Sequence, residues 1–207
     1  MVTLLNKAKR HFAESDTVMD ELFNASLNSS NPLILPKEKP CAKYFTTLVN
    51  SIISQQISTK AAATIFKNID QSIKITPKNL VTVEETKLRD CGCSGRKIQY
   101  LKSLAENWND LEPQRFTDFS DEEIIKRLTA CYGIGQWTAE MFLIFAMARP
   151  DVFAIGDLGL RQQIANAYNV DRDDLQEINK ITAELATYRT LASLTLWNHL
   201  DNGPIIL

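Results

Sequence analysis

At 207 residues the chain is long enough to bury a substantial core, as one large domain or two smaller lobes. Its 44% hydrophobic and 23% charged residues suit a globular protein in water, and no run of about 18 apolar residues offers a membrane span. A net charge of −2 excludes a generic polyanion binder, whose affinity comes from many lysine and arginine contacts to phosphate. The N-terminal MVTLLNKAKRHF alternates charged and apolar residues without a secretory apolar stretch, so the expected location is the cytoplasm, or the nucleus in a eukaryote.

Almost the whole chain reads as helix. Residues 2–13 and 16–26 are amphipathic, with Ser15 the expected cap between them. A loop rich in Asn, Ser and Pro covers 28–40. Phe45, Leu48, Val49, Ile52 and Ile53 recur at helical spacing over Tyr44–Ser54. Gln55, Gln56 and Ile57 interrupt the pattern, and Ser58 caps an alanine-rich helix to about Asn68. Thr76-Pro77 and Thr82 read as the starts of two short helices, the second ending at Gly92. Ser94 caps a helix to about Asn109, and Ser120 with Glu123 forms a capping box. The next helix, Gln136–Arg149, is almost wholly apolar in its centre and should be buried. Helices over Leu158–Tyr168, about Asp174–Ala186 and Arg189–His199 close the chain before an apolar tail, Pro204–Leu207. No alternating strand pattern or repeat occurs. The expected class is all-α, with roughly ten helices in two lobes: residues 55–145 in one, and 1–54 with 146–207 in the other.

Cys41, Cys91, Cys93 and Cys131 are too scattered for a disulfide scaffold, and with only two histidines no metal-ligand set forms at usual spacings. Charge is segregated. Residues 39–69 hold four lysines and no acid, and 94–104 hold Arg96, Lys97 and Lys102 without one, whereas acids gather in 110–123 and 171–184. A locally basic face on an acidic chain is one reading, and ordinary solvated charge is the other.

Gly133-Ile134-Gly135 joins two of these helices, the hairpin spanning about 121–149. Glycine permits positive φ and close approach of another backbone, and the N-terminus of the second helix offers N–H groups to an anion such as a phosphate. Ile134 should anchor the turn into the core. A plain structural turn explains the same residues. Asp157 follows at the mouth of the next helix, where a carboxylate serves equally as a helix cap or as a presented acid.

The stretch CYGIGQWTAEMFLIFAMARPDVFAIGDLGLRQQI resembles the signature of the helix-hairpin-helix (HhH-GPD) DNA glycosylases, most closely the AlkA-like 3-methyladenine type in a compact form without an extra N-terminal domain. FTTLVNSIISQQISTKAAATIF is similar to the segment that this family inserts into DNA, and LRDCGCSGRKIQYLKSLA to its next two helices. The resemblance runs from about Tyr44 to Trp197 and implies a two-lobed helical glycosylase fold. It implies a base-excision enzyme that flips an alkylated purine out of duplex DNA and hydrolyses its N-glycosidic bond. Asp157 is then the catalytic acid, stabilising charge on the deoxyribose as the base leaves. Trp137 matches a wall of the base pocket, with Met141 and Leu191 at two further pocket positions where the family type shows aromatics. The DNA contacts implied are Gln55, Gln56, Ile57 and Ser58, with Gln56 or Ile57 as the wedge; Ser94 and Arg96 at a helix start; and Gly133, Ile134, Gly135 and Thr138 at the hairpin. The carbonyls of Thr129, Cys131 and Ile134 match those that hold a monovalent cation, Na+ or K+, in similar hairpins.

Strand-cutting relatives carry a lysine where Trp137 stands, and no lysine lies between Arg127 and Arg161. Relatives with an iron–sulfur cluster carry cysteines after the acid, and none follows Cys131. The expected protein is thus a monofunctional, monomeric, nucleoid-associated glycosylase without an iron–sulfur cluster. Thr190, Leu191 and Ala192 depart from the family pattern and leave two alternatives open: a non-catalytic lesion-binding protein, or a glycosylase for deaminated or mismatched bases.

Overall fold

The computed structural model describes residues 2–30 and 33–200, so the apolar tail at 204–207 lies outside the described residues. Twelve α-helices and two short 3-10 helices form among them, with no strand. The all-α expectation holds, and the helices number more than ten because several short ones stand apart. The chain divides into two units, residues 38–142 and the described parts of 1–37 and 143–206.

In the unit formed by the two ends, α1 (Val2–Ser15) packs on α2 (Thr17–Leu27), and α12 (Arg189–Asn198) packs on α2 and on α10 (Leu158–Tyr168). α11 (Leu175–Glu184) is capped by Asp174, whose Oδ1 accepts the Gln176 and Glu177 N–H groups. Phe12 and Phe23 are fully buried and meet edge to face, with ring centroids 5.3 Å apart. The cap between α1 and α2 is Asp16 rather than Ser15. Asp16 has extended backbone and accepts the Met19 N–H at 2.9 Å, while its second oxygen accepts the Tyr168 hydroxyl at 2.7 Å. Ser15 remains helical and donates to the His11 carbonyl instead.

In the middle unit, α3 (Tyr44–Ser54) packs on α4 (Thr59–Ile73) and α7 (Gly95–Asn107), and α7 also carries α5 (Pro77–Thr82) and α6 (Glu85–Asp90). This packing places α3 with the middle of the chain, whereas its sequence position suggested the end unit. Thr82 ends α5, donating to the Lys78 carbonyl, and Glu84 rather than Thr82 precedes α6. Tyr44, Phe116 and Phe142 form an aromatic cluster, with Tyr44 edge-on to Phe142 at 5.1 Å.

α8 (Asp121–Thr129) opens on the expected capping box, Ser120 with Glu123. α9 (Gln136–Phe145) is shorter than its apolar pattern. Ala148 turns to φ 52°, and the Arg149 N–H closes on the Leu143 carbonyl at 3.0 Å, so the chain leaves the helix before Pro150.

Candidate functional site: the hairpin, the basic cleft and a held carboxylate

The two glycines of the hairpin do different work. Gly133 has φ +93°, and a Cβ there would stand 2.0 Å from the Tyr100 ring, so only glycine fits both the backbone and the ring packed on it. Gly135 has nothing within 4 Å of where a Cβ would go, leaving the approach to α9 open. Ile134 between them is buried. Tyr132 is exposed, its N–H donates to Ser103 Oγ at 2.9 Å, and its ring meets Tyr100 edge to face at 4.9 Å. Thr138 has a buried side chain in the first turn of α9, so what it offers a phosphate is its backbone N–H at the positive end of the helix.

The hairpin is tied to the turn after α3. Gln55 Nε2 donates to the Gly133 carbonyl at 3.1 Å. Gln56 follows in left-handed backbone, φ 59°, with an exposed side chain. Ile57 is also exposed, and Ser58 caps α4 through the Ala61 N–H at 3.3 Å. Gln55 and Gln56 line a cleft of about 300 Å³ together with Ser94, Arg96, Lys97 and Tyr100. The structure thus gathers four of the residues singled out in the sequence, Gln55, Gln56, Ser94 and Arg96, around one cleft; Ile57 and Ser58 are not among its lining. Lys97 and Tyr100 are additions. Burial lowers the Lys97 ammonium below the ordinary lysine range, partly countered by Cys93, and Lys97 Nζ donates to the Ile53 carbonyl. Lys97 followed Arg96 in an acid-free segment, which is the signal that could have found it. Tyr100 carries no local signal, since its role is the ring face under Gly133.

Asp157 sits in the other unit. It caps α10, its Oδ1 accepting the Leu160 N–H at 2.9 Å and facing the Trp197 indole N–H at 3.4 Å. The loop leading to it is fastened to α12. Val152 N–H donates to Thr190 Oγ1 at 3.0 Å, and Thr190 Oγ1 donates to the Arg149 carbonyl. Arg189 forks onto Asp151 with two contacts of 2.8 Å. Burial works to raise the Asp151 carboxyl, but the hydrogen bonds and charge of Arg189, with a Thr187 N–H bond, outweigh it and hold it below the usual carboxylate range.

Of the residues matched to a base pocket, Trp137 is half-buried in the first turn of α9, while Met141 and Leu191 are 2% and 3% exposed and present almost no surface. Glu140, a buried acid on α9 that the sequence reading passed over, accepts from Gln136 Nε2 at 2.9 Å. Thr129 ends α8 at its negative pole, and the Cys131 carbonyl accepts the Ile134 N–H at 3.1 Å.

A family model described as "HhH-GPD superfamily base excision DNA repair protein" matches residues 49–187. The chain belongs to the HhH-GPD superfamily. DNA-3-methyladenine glycosylase 1 of Schizosaccharomyces pombe is 34% identical over 95% of this chain and 88% of its own length. Among solved structures, a DNA-3-methyladenine glycosidase from Bacillus halodurans superposes with a TM-score of 0.76 at 33% identity, over 90% of this chain and 85% of that one. The Schizosaccharomyces pombe 3-methyladenine DNA glycosylase in complex with abasic DNA gives a TM-score of 0.72 at 32% identity, over 92% and 95%. This is the family that the stretch from Cys131 to Ile164 resembles. The HhH-GPD match contains the Gln55–Ser58 turn, the hairpin and Asp157, while α12, with Leu191 and Trp197, lies beyond it.

Proposed function

We propose that this HhH-GPD protein is a monofunctional DNA glycosylase of alkylated purines, the 3-methyladenine and 7-methylguanine type, acting as a monomer on duplex DNA. The observation that carries the reading is Asp157, held by N–H donors at the mouth of α10, in a chain 34% identical to a DNA-3-methyladenine glycosylase over nearly its whole length.

The chemistry follows from the charge that develops. As the glycosidic bond lengthens, the deoxyribose becomes cationic at C1′, and the Asp157 carboxylate stabilises that state or orients the attacking water. A ring-nitrogen-alkylated purine is already cationic, so it departs without a general acid. Trp137 offers it an indole face, whose negative quadrupole favours a cation over a neutral base. The first-turn N–H groups of α9 take a phosphate past the open side of Gly135, and a monovalent cation on the Thr129, Cys131 and Ile134 carbonyls would add positive charge there. Gln56, exposed on strained backbone, is the wedge that fills the gap left by the flipped base. Because Trp137 stands where a lyase needs its amine, the product is an abasic site with an intact strand.

Abasic-site formation on methylated duplex DNA tests the reading. Asp157→Asn should slow base release by about 10²–10³-fold, the size of losing one preorganised electrostatic contact. Equal release by both proteins overturns it. Absence of release by wild type, with tight binding to abasic DNA, would instead fit the lesion-binding alternative, which the near-complete burial of Met141 and Leu191 favours.

A further inference from the structure

α12 is unusual in being buried along its length, every residue from Thr190 to Trp197. Leucine and alanine fill most of its apolar positions. Trp197 brings an N–H as well. A buried indole N–H requires a hydrogen-bond acceptor, and Nε1 finds it in Asp157 Oδ1, 3.4 Å away and 40 residues earlier in the chain. The ring is fixed on its face by Phe145, stacked at 5.9 Å and 29°.

The same oxygen is held from a second direction, since Leu160 N–H binds it at 2.9 Å. Gly159 leaves it room: a Cβ there would stand 3.1 Å from it and 3.0 Å from Leu200 Cδ1. A helix cap alone requires only the Leu160 contact. The second donor, carried on a buried, stacked ring, adds a side-chain constraint on the direction of that oxygen which capping does not require.

We infer that Trp197 is a positioning residue, its indole N–H aligning the Asp157 carboxylate for base release. This rests on the reading of Asp157 as the catalytic acid. It adds a role for a residue outside the family-model match, at a position whose burial alone reads as core packing.

Trp197→Phe keeps the stacked ring and removes the N–H. Single-turnover release from methylated DNA should fall about tenfold, the scale of a hydrogen bond to a charged group, with affinity for abasic DNA unchanged within about twofold. In the Asp157→Asn background the same change should cost nothing further, because the interaction it removes is already altered. In the ¹H–¹⁵N spectrum, the indole resonance that disappears in Trp197→Phe should be displaced in Asp157→Asn, and that of Trp108, which packs on Phe45, should not. Wild-type release by Trp197→Phe overturns the inference. So does an equal loss in both backgrounds, or an unmoved Trp197 resonance, either of which makes Trp197 core packing only. Full release by Asp157→Asn would instead overturn the reading of Asp157 itself and remove the role with it, so the two failures are distinct.

Discussion

Gly133→Ala tests the hairpin at its tightest point. The side chain would face two penalties that the structure separates. A non-glycine residue at φ +93° costs on the order of 1–2 kcal/mol. The Cβ also overlaps the Tyr100 ring, with Cγ at 2.0 Å and both Cδ atoms within 2.5 Å, so the ring must leave its seat, at on the order of 1–3 kcal/mol for an overpacked contact. Together these give about 3 kcal/mol, which lowers Tm by roughly 6–12 °C in a chain of this size. Gly135→Ala is the control, because nothing lies near its Cβ; it should stay within about 1 kcal/mol of wild type. With the proposed phosphate site at this opening, it should nevertheless weaken DNA binding. Equilibrium denaturation followed by circular dichroism reads the stabilities, and a cycle with Tyr100→Ala isolates the ring overlap. The double variant should recover the steric part and keep the backbone part. Equal Tm losses for the two alanine variants, or simple additivity of Gly133→Ala with Tyr100→Ala, would refute the reasoning.

Two further outcomes follow from charge and burial. Asp151 is held below its ordinary range by Arg189, so its pairing stabilises the fold above the unfolded carboxylate value near 3.9 and is lost as the pH falls through the lower folded value. Asp151→Asn should therefore lower Tm by about 2–4 °C at pH 7, as a partly exposed pair does, with the gap to wild type closing below about pH 4; a gap that widens in acid contradicts this. Burial pushes the Cys93 and Cys131 thiols up to about 11, with Cys91 adding to the shift at Cys93, whereas Cys41 is exposed. At pH 8 a thiol reagent should label Cys41 rapidly and the other three only on unfolding, as mass spectrometry of labelled peptides would show; fast labelling of Cys131 would count against the buried hairpin.

What the sequence disclosed was what local chemistry decides. Ser58, Ser94 and Ser120 begin helices because a hydroxyl two or three residues before a free N–H is a local arrangement, legible without a fold. Asp157 is legible for the same reason, as a cap, while its proposed role came only from the family resemblance of the hairpin stretch. Ser15 was the expected cap, but Asp16 takes the role, its second oxygen accepting the Tyr168 hydroxyl from far along the chain. The early end of α9 turns on Ala148 adopting a backbone usually left to glycine, which composition does not announce. The membership of α3 in the middle unit is decided by packing on α4 and α7, and Tyr100 under Gly133 by contact across 33 positions. Trp197 did leave a trace: an indole ending a helix otherwise filled by leucine, alanine and small hydroxyls implies that its N–H has somewhere to go.

At Gln56 the demands of folding and those of the proposed wedge oppose each other. Its φ of 59° is a conformation that glycine adopts freely and that costs any other residue on the order of 1 kcal/mol. A laboratory search for heat-resistant variants should therefore accept Gln56→Gly, and a computational redesign scored on folding energy should choose the same change. Either route would remove the exposed amide from the turn, and, with Gln56 as the proposed wedge, give a sturdier protein that holds opened DNA less well. A thermostable version that is to keep the proposed wedge should therefore look for its gains elsewhere, in α1 and α11, and leave this turn strained.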